Sequence, residues 1–231
     1  LGQPIGEPLP NWTGAKPPER QTLSGRFCTL EHLDPAKHLK DLKHAFDQDE
    51  TGGLWTYFFF KSGMDQNNFK ELITQLSQSD DPHYFAVLNS DGKAVGIASY
   101  MRIDPASGSI EVGGIAFSPE LQRTPAATEA MVLMMQHAFE VLGYRRYEWK
   151  CDSLNAPSVR AAKRLGFVFE GTFRQAVVYK GRNRDTSWFS ILDKEWPLLK
   201  PCFEQWLSSE NFDEDGDQIA SLSSLVANVR G

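Results

Sequence analysis

The sequence predicts a mixed α/β fold in which one sheet of about seven strands carries helices on both faces. Two patterns support this prediction. Between residues 83 and 117, three stretches of alternating hydrophobicity are separated by Ser90-Asp91-Gly92 and by the turn residues 104–108, as in an antiparallel meander. Between residues 109 and 151, a strand, a helix and a second strand follow one another, and such a crossover places its two strands side by side and parallel.

The segment before the meander predicts one strand and two helices. Residues 21–30 alternate loosely and favour a first strand. Asp34 followed by Pro35 starts a helix, because aspartate caps the first turn and proline loses only an N–H group that has no partner there. A second helix starts at Asp65. The aromatic stretch 55–60 between the helices fits either plain core or a pocket wall.

After the meander, helices alternate with strands. A long apolar helix is predicted over 125–142, where Gly143 ends it, and a second helix over 155–165, where Gly166 ends it. The remaining predicted elements are strands over 145–151 and 167–170, further strand structure over 177–193 with a turn near Gly181, and a helix over 196–207. We divide the chain into an extended arm (1–20), a main domain (21–197) and a C-terminal part (198–231) with a helix, an acidic solvated linker over 209–217 and a terminal segment.

Composition narrows the class of protein. The net charge of −6 and the pI near 5.4 argue against a nucleic-acid partner, which would need a basic face. No apolar run has the length of a membrane span, so we expect no membrane partner. The three cysteines are scattered and the five histidines lack ligand spacing, so we expect a cytoplasmic protein with neither a disulfide framework nor a metal site.

The stretch from Glu111 to Thr128 combines a buried strand with the start of a helix. Gly113-Gly114 inside the strand predicts a bulge or a close approach to the backbone. Thr124-Pro125 predicts the helix start, and free N–H groups at such a terminus can bind an anion. An ordinary buried strand–helix unit explains the same stretch equally well.

The segment from Cys151 to Gly171 resembles the GNAT superfamily of N-acetyltransferases, in its RimJ/RimL-like branch. The resemblance lies in Asn155-x-x-Ser158, in Leu165-Gly-Phe and in Glu170-Gly171, and it extends over residues 23–197. It implies acetyl-CoA or another acyl-CoA as cosubstrate and no metal. It also implies a monomer or homodimer that acts on a small-molecule or protein N-terminal amine. Finally, it implies that two parallel strands splay apart, here 115–117 and 147–151, and that the pantetheine arm lies between them.

The resemblance also implies the residues that would bind the cosubstrate. The family's diphosphate loop corresponds to Gln122–Ala127, where Pro125 replaces the first glycine and removes one N–H donor. Lys163 would meet the 3′-phosphate, although an exposed helix face explains a lysine there as well. The remaining expected contacts are Ile115, Ala116 and Phe117 beside the pantetheine, Asn155 and Ser158 beside the acyl thioester, and Gln122, Arg123, Thr124, Ala126, Ala127 and Thr128 around the diphosphate.

Three residues are expected to carry the chemistry. Ser158 resembles the branch's proton donor to the leaving thiolate, because the tyrosine that many relatives use is replaced by Ala162. Glu111 is the candidate base and Asn155 would touch the acyl group. Each has a plainer explanation: a backbone-bonded serine, an arginine partner and a helix cap. The predicted function is N-acyl transfer to an amine, and the alternative, motivated by Pro125, is a non-catalytic acyl-CoA-binding module.

Overall fold

The computed structural model describes residues 2–60, 63–214 and 216–230. These residues form one mixed sheet of eight strands in the order β1-β2-β3-β4-β5-β6-β8-β7, so the predicted α/β class is confirmed with one strand more than expected. The strands are β1 (Leu23–Ser24), β2 (Thr29–His32), β3 (His83–Leu88), β4 (Ala94–Asp104), β5 (Ser109–Phe117), β6 (Arg146–Asp152), β7 (Val168–Tyr179) and β8 (Arg182–Leu192).

Helices cover both faces of this sheet, as predicted. On one face, α1 and α2 pack around Leu42, Phe46 and Phe69 against β3 and β4. On the other face, α3, α4 and α5 enclose the larger core, which includes Met134 and Phe203. The helices are α1 (Pro35–Asp47), α2 (Gln66–Ser77), α3 (Pro125–Gln136), α4 (Ala156–Arg164), α5 (Trp196–Leu207) and α6 (Leu222–Arg230).

The single strand predicted over residues 21–30 is instead a hairpin of β1 and β2. Its turn is organised by the buried carboxylate of Glu129, which accepts hydrogen bonds from the backbone N–H groups of Arg26, Phe27 and Cys28 at 2.6–2.8 Å. Three donors on one carboxylate offset the cost of burying its charge. The alternating pattern alone could not indicate this turn, because its organising residue lies a hundred positions away.

Two further elements differ from prediction. The helix predicted over 125–142 is α-helical only to Gln136 and continues as a π-helix over His137–Val141. There the Tyr100 hydroxyl donates to the Met134 carbonyl at 2.6 Å, and a side chain inserted into the helical ladder is a recognised cause of such widening.

Residues 171–176, expected to separate two strands, belong to β7, which continues through a bulge between Phe173 and Val177.

The two ends of the chain lie on the sheet domain. In the N-terminal arm, the Trp12 indole donates to the Ala106 carbonyl at 2.8 Å. At the other end, α6 packs on α5, and Arg230 pairs with Glu195 at 2.7 Å. The segment expected to be a solvated linker is ordered at its start, because Phe212 packs between Phe27 and Trp206. The three-part division of the chain remains a prediction.

Candidate functional site

The parallel pair β5–β6 opens partway along its length. Pairing runs from Ser109↔Arg146 only to Val112↔Trp149, whereas β5 continues to Phe117 and β6 to Asp152. A wedge-shaped gap therefore lies between 113–117 and 150–152. The sequence placed Tyr147–Trp149 on one side of this gap; those residues are in the paired part, because the strands separate only after Trp149.

A bulge on β5 lies where the strands separate. Ile97 pairs with Ala116 and Ser99 with Gly113, so β5 has one residue more than β4 across this interval. Gly114 has a φ of +58°, and a Cβ built there would lie 2.5 Å from the Tyr84 hydroxyl oxygen. Only glycine fits both requirements. The bulge turns the second half of β5 away from β6.

The backbone of β5 offers a donor to the gap. Ser118 N donates to the Val95 carbonyl on β4 at 3.1 Å. Because successive N–H groups of a strand point to opposite edges, the N–H group of Phe117 points away from β4 and into the gap. Ile115 and Phe117 are half-exposed, whereas Ala116 is buried. Of the three strand residues expected at the cosubstrate, Ala116 is the one whose N–H group, by the same alternation, points to β4 rather than into the gap.

In the turn after β5, more of the hydrogen-bonding groups have partners within the protein than the sequence indicated. The Thr124 hydroxyl donates to the Leu121 carbonyl at 2.7 Å and accepts from Ala127 N at 3.2 Å. Its carbonyl accepts from Thr128 N at 3.4 Å, while the Thr128 hydroxyl accepts from Arg164 at 3.0 Å. We expected the Thr124 hydroxyl and the amides of Ala127 and Thr128 to face an anion. In the structure these three groups already have partners within the turn and the first turn of α3.

Other donors in this turn remain available. The backbone N–H groups of Arg123, Thr124 and Ala126 have no hydrogen-bond partner within the described ranges. Arg123 is exposed and has a φ of +63°, a conformation that can direct successive N–H groups to one point. Gln122 uses its side-chain amide on the Phe117 carbonyl at 2.8 Å and so supports the turn. The donors of this turn that remain available to an anion are therefore those of residues 123–126.

Helix α4 places Asn155 and Ser158 beside the gap. The Asn155 side chain caps the helix by accepting from Ser158 N at 3.2 Å, and this cap is the plainer role foreseen for it. The Ser158 hydroxyl oxygen accepts from the indole Nε1 of Trp149 at 2.9 Å. Since the indole only donates, the hydroxyl proton of Ser158 is directed to another acceptor, and the Cys151 sulfur lies within its hydrogen-bond reach. Lys163, at the far end of α4, is exposed and lies apart from these groups.

Glu111 lies on the opposite face of the sheet and is buried. Lys150 Nζ is 2.7 Å and Arg102 Nε 3.3 Å from its carboxylate. Burial raises the pKa of Glu111 to about 7, despite the opposing effect of Lys150 and Arg102 and with a further increase from Glu148. A carboxyl group that titrates near neutral pH is suited to accept a proton. Its ion pairs equally fit the structural role that the sequence left open.

The charges around Glu111 continue across the sheet. Arg146 contacts Glu148 at 2.6 Å and Glu170 at 2.5 Å, and Ser190 donates to Glu170 at 2.7 Å. These hydrogen bonds hold the pKa of Glu170 below its ordinary value, with the Arg146 contact as the largest cause. Because each carboxylate has a cationic partner, the buried charges near Glu111 are largely compensated.

The apex of the gap brings the two catalytic candidates together from opposite faces. Trp149 and Lys150 are consecutive in β6 and therefore point to opposite faces of the sheet. Ser158 lies with Trp149 on the helix-α4 face, and Glu111 lies with Lys150 on the other. The two candidates therefore lie near the end of the paired segment, one on each face of the sheet.

Several site residues were missed by the sequence analysis. Trp149 was treated as an ordinary strand residue, and Lys150 and Arg102 were not singled out. Arg146, Glu148, Lys150 and Asp152 alternate with apolar residues along β6, and such charged alternation in a mostly buried strand was the available signal. Cys151 is buried and has an elevated pKa, mainly because of burial, as expected for a core thiol.

In the described residues, no three His, Cys, Asp or Glu side chains are grouped closely enough to hold a metal ion. Over the same ranges, none of the helices combines the length and apolar character that crossing a bilayer requires.

Comparison with known proteins gives a consistent set of relatives. The family model for the acetyltransferase (GNAT) domain matches residues 28–168. The prophage-derived uncharacterized N-acetyltransferase YokL of Bacillus subtilis is 27% identical over 132 residues, which are 57% of this chain and 73% of YokL. The range matched by the family model includes the gap, the turn 122–128 and Ser158.

Solved structures agree with the family model. A GCN5-related N-acetyltransferase from Brucella melitensis superposes with a TM-score of 0.93 at 48% identity, covering 95% of this chain and all of that one. An acetyl transferase from Salmonella typhimurium that modifies the N-terminal serine of a 50S ribosomal subunit protein has a TM-score of 0.64 over 74% of this chain and 99% of its own. At 18% identity, the latter likeness concerns the fold alone.

Proposed function

Because the chain belongs to the GNAT acetyltransferase family, we propose that it transfers an acetyl group from acetyl-CoA to a primary amine by direct attack in a ternary complex. The observation that carries the proposal is the gap in the β5–β6 pair, where pairing ends at Val112↔Trp149 while both strands continue. The unpaired edge of β5 can hydrogen-bond an extended chain as a neighbouring strand would, and a pantetheine arm has amides for this purpose.

The proposed cosubstrate site runs from the gap to the turn that follows it. The backbone of residues 115–117 would hold the pantetheine arm. The N–H groups of Arg123, Thr124 and Ala126 would bind the diphosphate, supported by the Arg123 guanidinium and the dipole of α3. Lys163 is a weaker candidate, for the 3′-phosphate, because an exposed lysine on a helix face is commonly only solvated.

In the proposed mechanism, Glu111 takes a proton from the acceptor ammonium. Its pKa, raised to about 7 by burial, allows it to be ionised at neutral pH and still basic enough to accept a proton. Lys150 and Arg102 orient the carboxylate through contacts of 2.7 and 3.3 Å. The neutral amine then attacks the thioester carbonyl from this face of the sheet.

The other face would stabilise the charges that the attack creates. The N–H group of Phe117 points into the gap and would donate to the carbonyl oxygen as it becomes negative. Ser158 would donate its hydroxyl proton to the departing sulfur and take in its place the second proton that the attacking nitrogen loses, so that the serine ends neutral. The Trp149 indole orients this hydroxyl by donating to its oxygen. Asn155 holds Ser158 in place by capping α4.

The acceptor is a primary amine, either a small molecule or a protein N-terminus. The ribosomal-protein acetyl transferase of Salmonella typhimurium makes an N-terminal amine a reasonable class to test, since the two proteins share a fold. We expect the protein to act in the cytoplasm as a monomer or homodimer, and short acyl groups other than acetyl belong in the same test.

A second candidate is a non-catalytic acyl-CoA-binding module on this fold. Pro125 lacks an N–H group, and the amides of Ala127 and Thr128 are used within the turn. This arrangement offers fewer phosphate donors than the family's glycine-rich turn does. Such a module would bind CoA without transferring its acyl group.

A thiol-release assay separates the two candidates. The full chain is incubated with acetyl-CoA and a panel of amines that includes N-terminal peptides, and free CoA and acetylated acceptor are both quantified. Acceptor-dependent release supports the transferase. Cofactor binding without release for any amine would contradict it and support the binding module.

A further inference from the structure

One face of the sheet beyond the gap carries a row of polar side chains that the proposed chemistry does not use. In the β6–β8 register, Lys150 pairs with Trp188 and Asp152 with Thr186, and Arg184 follows two residues further along β8. Paired residues of antiparallel strands share a face, so Arg184, Thr186 and Trp188 lie on the face that carries Glu111 and Lys150. This row, residues 184, 186 and 188, is called the donor row.

Polar atoms of the donor row are buried without partners. Nε of Arg184, the Thr186 hydroxyl and Nε1 of Trp188 have no hydrogen-bond partner in the described structure, and Thr186 is only 5% exposed. A buried polar group without a partner costs free energy, so a row of three indicates a ligand that supplies acceptors.

One charge beside the donor row has no partner of its own. Lys150 and Arg102 are compensated, because both contact the carboxylate of Glu111 and Arg102 Nε also lies 3.8 Å from Glu148. Arg184 has no ion pair in the described ranges, and the nearest carboxylate along the register, Asp152, already accepts from the Tyr179 hydroxyl at 2.8 Å and from Leu154 N at 2.9 Å. The Arg184 charge and the unpartnered donors of the row therefore lack an acceptor.

The donor row is enclosed by two loops. The Tyr179 ring lies 5.7 Å from that of Phe59, and Lys180 donates to the Trp55 carbonyl at 2.7 Å, which joins the tip of the β7–β8 hairpin to the loop 53–60. The Arg184 guanidinium lies 5.8 Å from the Tyr179 ring. Enclosure reduces solvent screening, so a charge here discriminates between ligands more strongly than it would on an open surface.

We propose that the donor row is an anion subsite for the acceptor, and that the preferred acceptors are amines that carry a carboxylate. This inference rests on the proposed function, because it takes the amine to lie beside Glu111. Along β8, Thr186 lies two residues beyond Trp188, or about 7 Å from it. The carboxylate is therefore separated from the amine by several bonds, as in an ω-amino acid or an acidic peptide.

Binding is measured first, so that the result is independent of turnover. Titration calorimetry on the full chain saturated with CoA compares 6-aminohexanoate with hexylamine, which has the same amine and chain length but no carboxylate. We expect at least tenfold tighter binding of 6-aminohexanoate. Glycine, whose carboxylate is adjacent to the amine, should gain less. Equal affinities for 6-aminohexanoate and hexylamine would overturn the proposal.

Two variants test whether the donor row causes the preference for 6-aminohexanoate over hexylamine. Arg184→Gln should reduce the affinity ratio of 6-aminohexanoate to hexylamine about tenfold, whereas Thr186→Val should reduce it severalfold. Arg174→Gln is the matched control, because it removes the same charge from the same hairpin and its charge acts instead on Asp185. An unchanged ratio in Arg184→Gln, or an equal loss in Arg174→Gln, would overturn the assignment to the donor row.

Two further measurements show whether the carboxylate belongs to a peptide or to a small acid, and whether a failure concerns the anion subsite or the proposed transferase activity. Peptide amides that begin Ser-Ala-Ala and Ser-Asp-Ala are compared in the same titration. A preference for the acidic peptide over both 6-aminohexanoate and Ser-Ala-Ala supports the subsite with a peptide acceptor. A preference for 6-aminohexanoate supports it with a small acid. Thiol release is recorded in parallel, so a carboxylate preference without release contradicts only the transferase.

Discussion

The indole Nε1 of Trp149 donates a hydrogen bond of 2.9 Å to the hydroxyl oxygen of Ser158. Trp149 is the last residue of β6 that pairs with β5, and Ser158 lies in the first turn of α4. This contact therefore connects the apex of the gap to the helix that borders it. It also orients the hydroxyl, because an oxygen that accepts from the indole directs its own proton elsewhere.

Replacing Ser158 by alanine should reduce turnover about a hundredfold while leaving the dissociation constant for CoA within a factor of about three, because proton donation contributes on this scale. Steady-state kinetics and titration calorimetry measure the two quantities. Ser153→Ala, in the loop before α4, is the matched control and should keep both values. An unchanged kcat in Ser158→Ala would exclude the serine from the mechanism.

The Trp149→Phe substitution tests the orientation of Ser158 rather than its presence. Phenylalanine keeps the edge-to-face packing on Phe167, whose centroid lies 5.6 Å from that of Trp149, but has no N–H group. We expect kcat to fall roughly three- to tenfold, about the worth of one hydrogen bond. The double variant with Ser158→Ala should be no slower than Ser158→Ala alone, and fully additive losses would contradict the coupling.

The rate should fall as the pH is lowered through about 7, because burial raises the pKa of Glu111 to about 7 and only its ionised form accepts a proton. This fall is the acidic limb of the pH–rate profile. The limb is measured in kcat/KM between pH 5 and pH 8 with an aliphatic primary amine, which stays an ammonium over that range and so carries the proton that Glu111 takes. Glu111→Gln should remove the limb and slow the reaction at least a hundredfold at pH 8. Glu148→Gln should keep the limb and move it to lower pH, because Glu148 raises the pKa of Glu111. A limb that persists in Glu111→Gln would assign the base elsewhere.

Two buried histidines should weaken the fold in mild acid. Burial lowers the pKa of His83 and of His137 from the ordinary 6.5 to about 4. Below pH 6.5 the unfolded chain binds protons that the folded chain refuses, so stability present above that pH is lost as the pH falls toward 4. Each histidine should contribute about 2 kcal/mol to this loss between pH 6.5 and pH 5.

Urea unfolding at a series of pH values measures that loss. His83→Phe keeps the edge contact with Phe85, whose ring lies 5.1 Å away, and removes the titrating group. The free energy of unfolding should therefore fall less with decreasing pH, by the amount that one histidine contributes. His44→Gln removes an exposed histidine and should leave the slope unchanged. An equal pH dependence in the wild type and His83→Phe would show that His83 does not cause it.

The sequence was sufficient to predict the order of the elements around the gap. The meander over 83–117, the helix start at Thr124-Pro125 and the crossover to β6 depend on local patterns, and the structure confirms each of them. The double glycine indicated the bulge for a local reason as well, since Gly114 adopts a positive φ.

What the sequence could not predict depends on contacts between distant residues. Glu111, Lys150 and Arg102 meet only because the registers of β4, β5 and β6 align them. The turn between β1 and β2 depends on Glu129, and the π-helix at His137 is accompanied by a hydroxyl from Tyr100. Capping also concealed the amides of Ala127 and Thr128, which the family pattern had indicated as donors. Each of these features depends on residues that are close in space but far apart in the sequence, so local spacing patterns could not predict it.

Hydrogen exchange in the presence of CoA tests the central claim, that the gap between β5 and β6 holds the cosubstrate, most directly. Exchange is followed by mass spectrometry on the full chain with and without millimolar CoA. We predict slower exchange in residues 113–117 and 123–126, where free N–H groups line the gap and the turn, and no change in the already paired residues 83–88. Unchanged exchange in both segments would contradict the account.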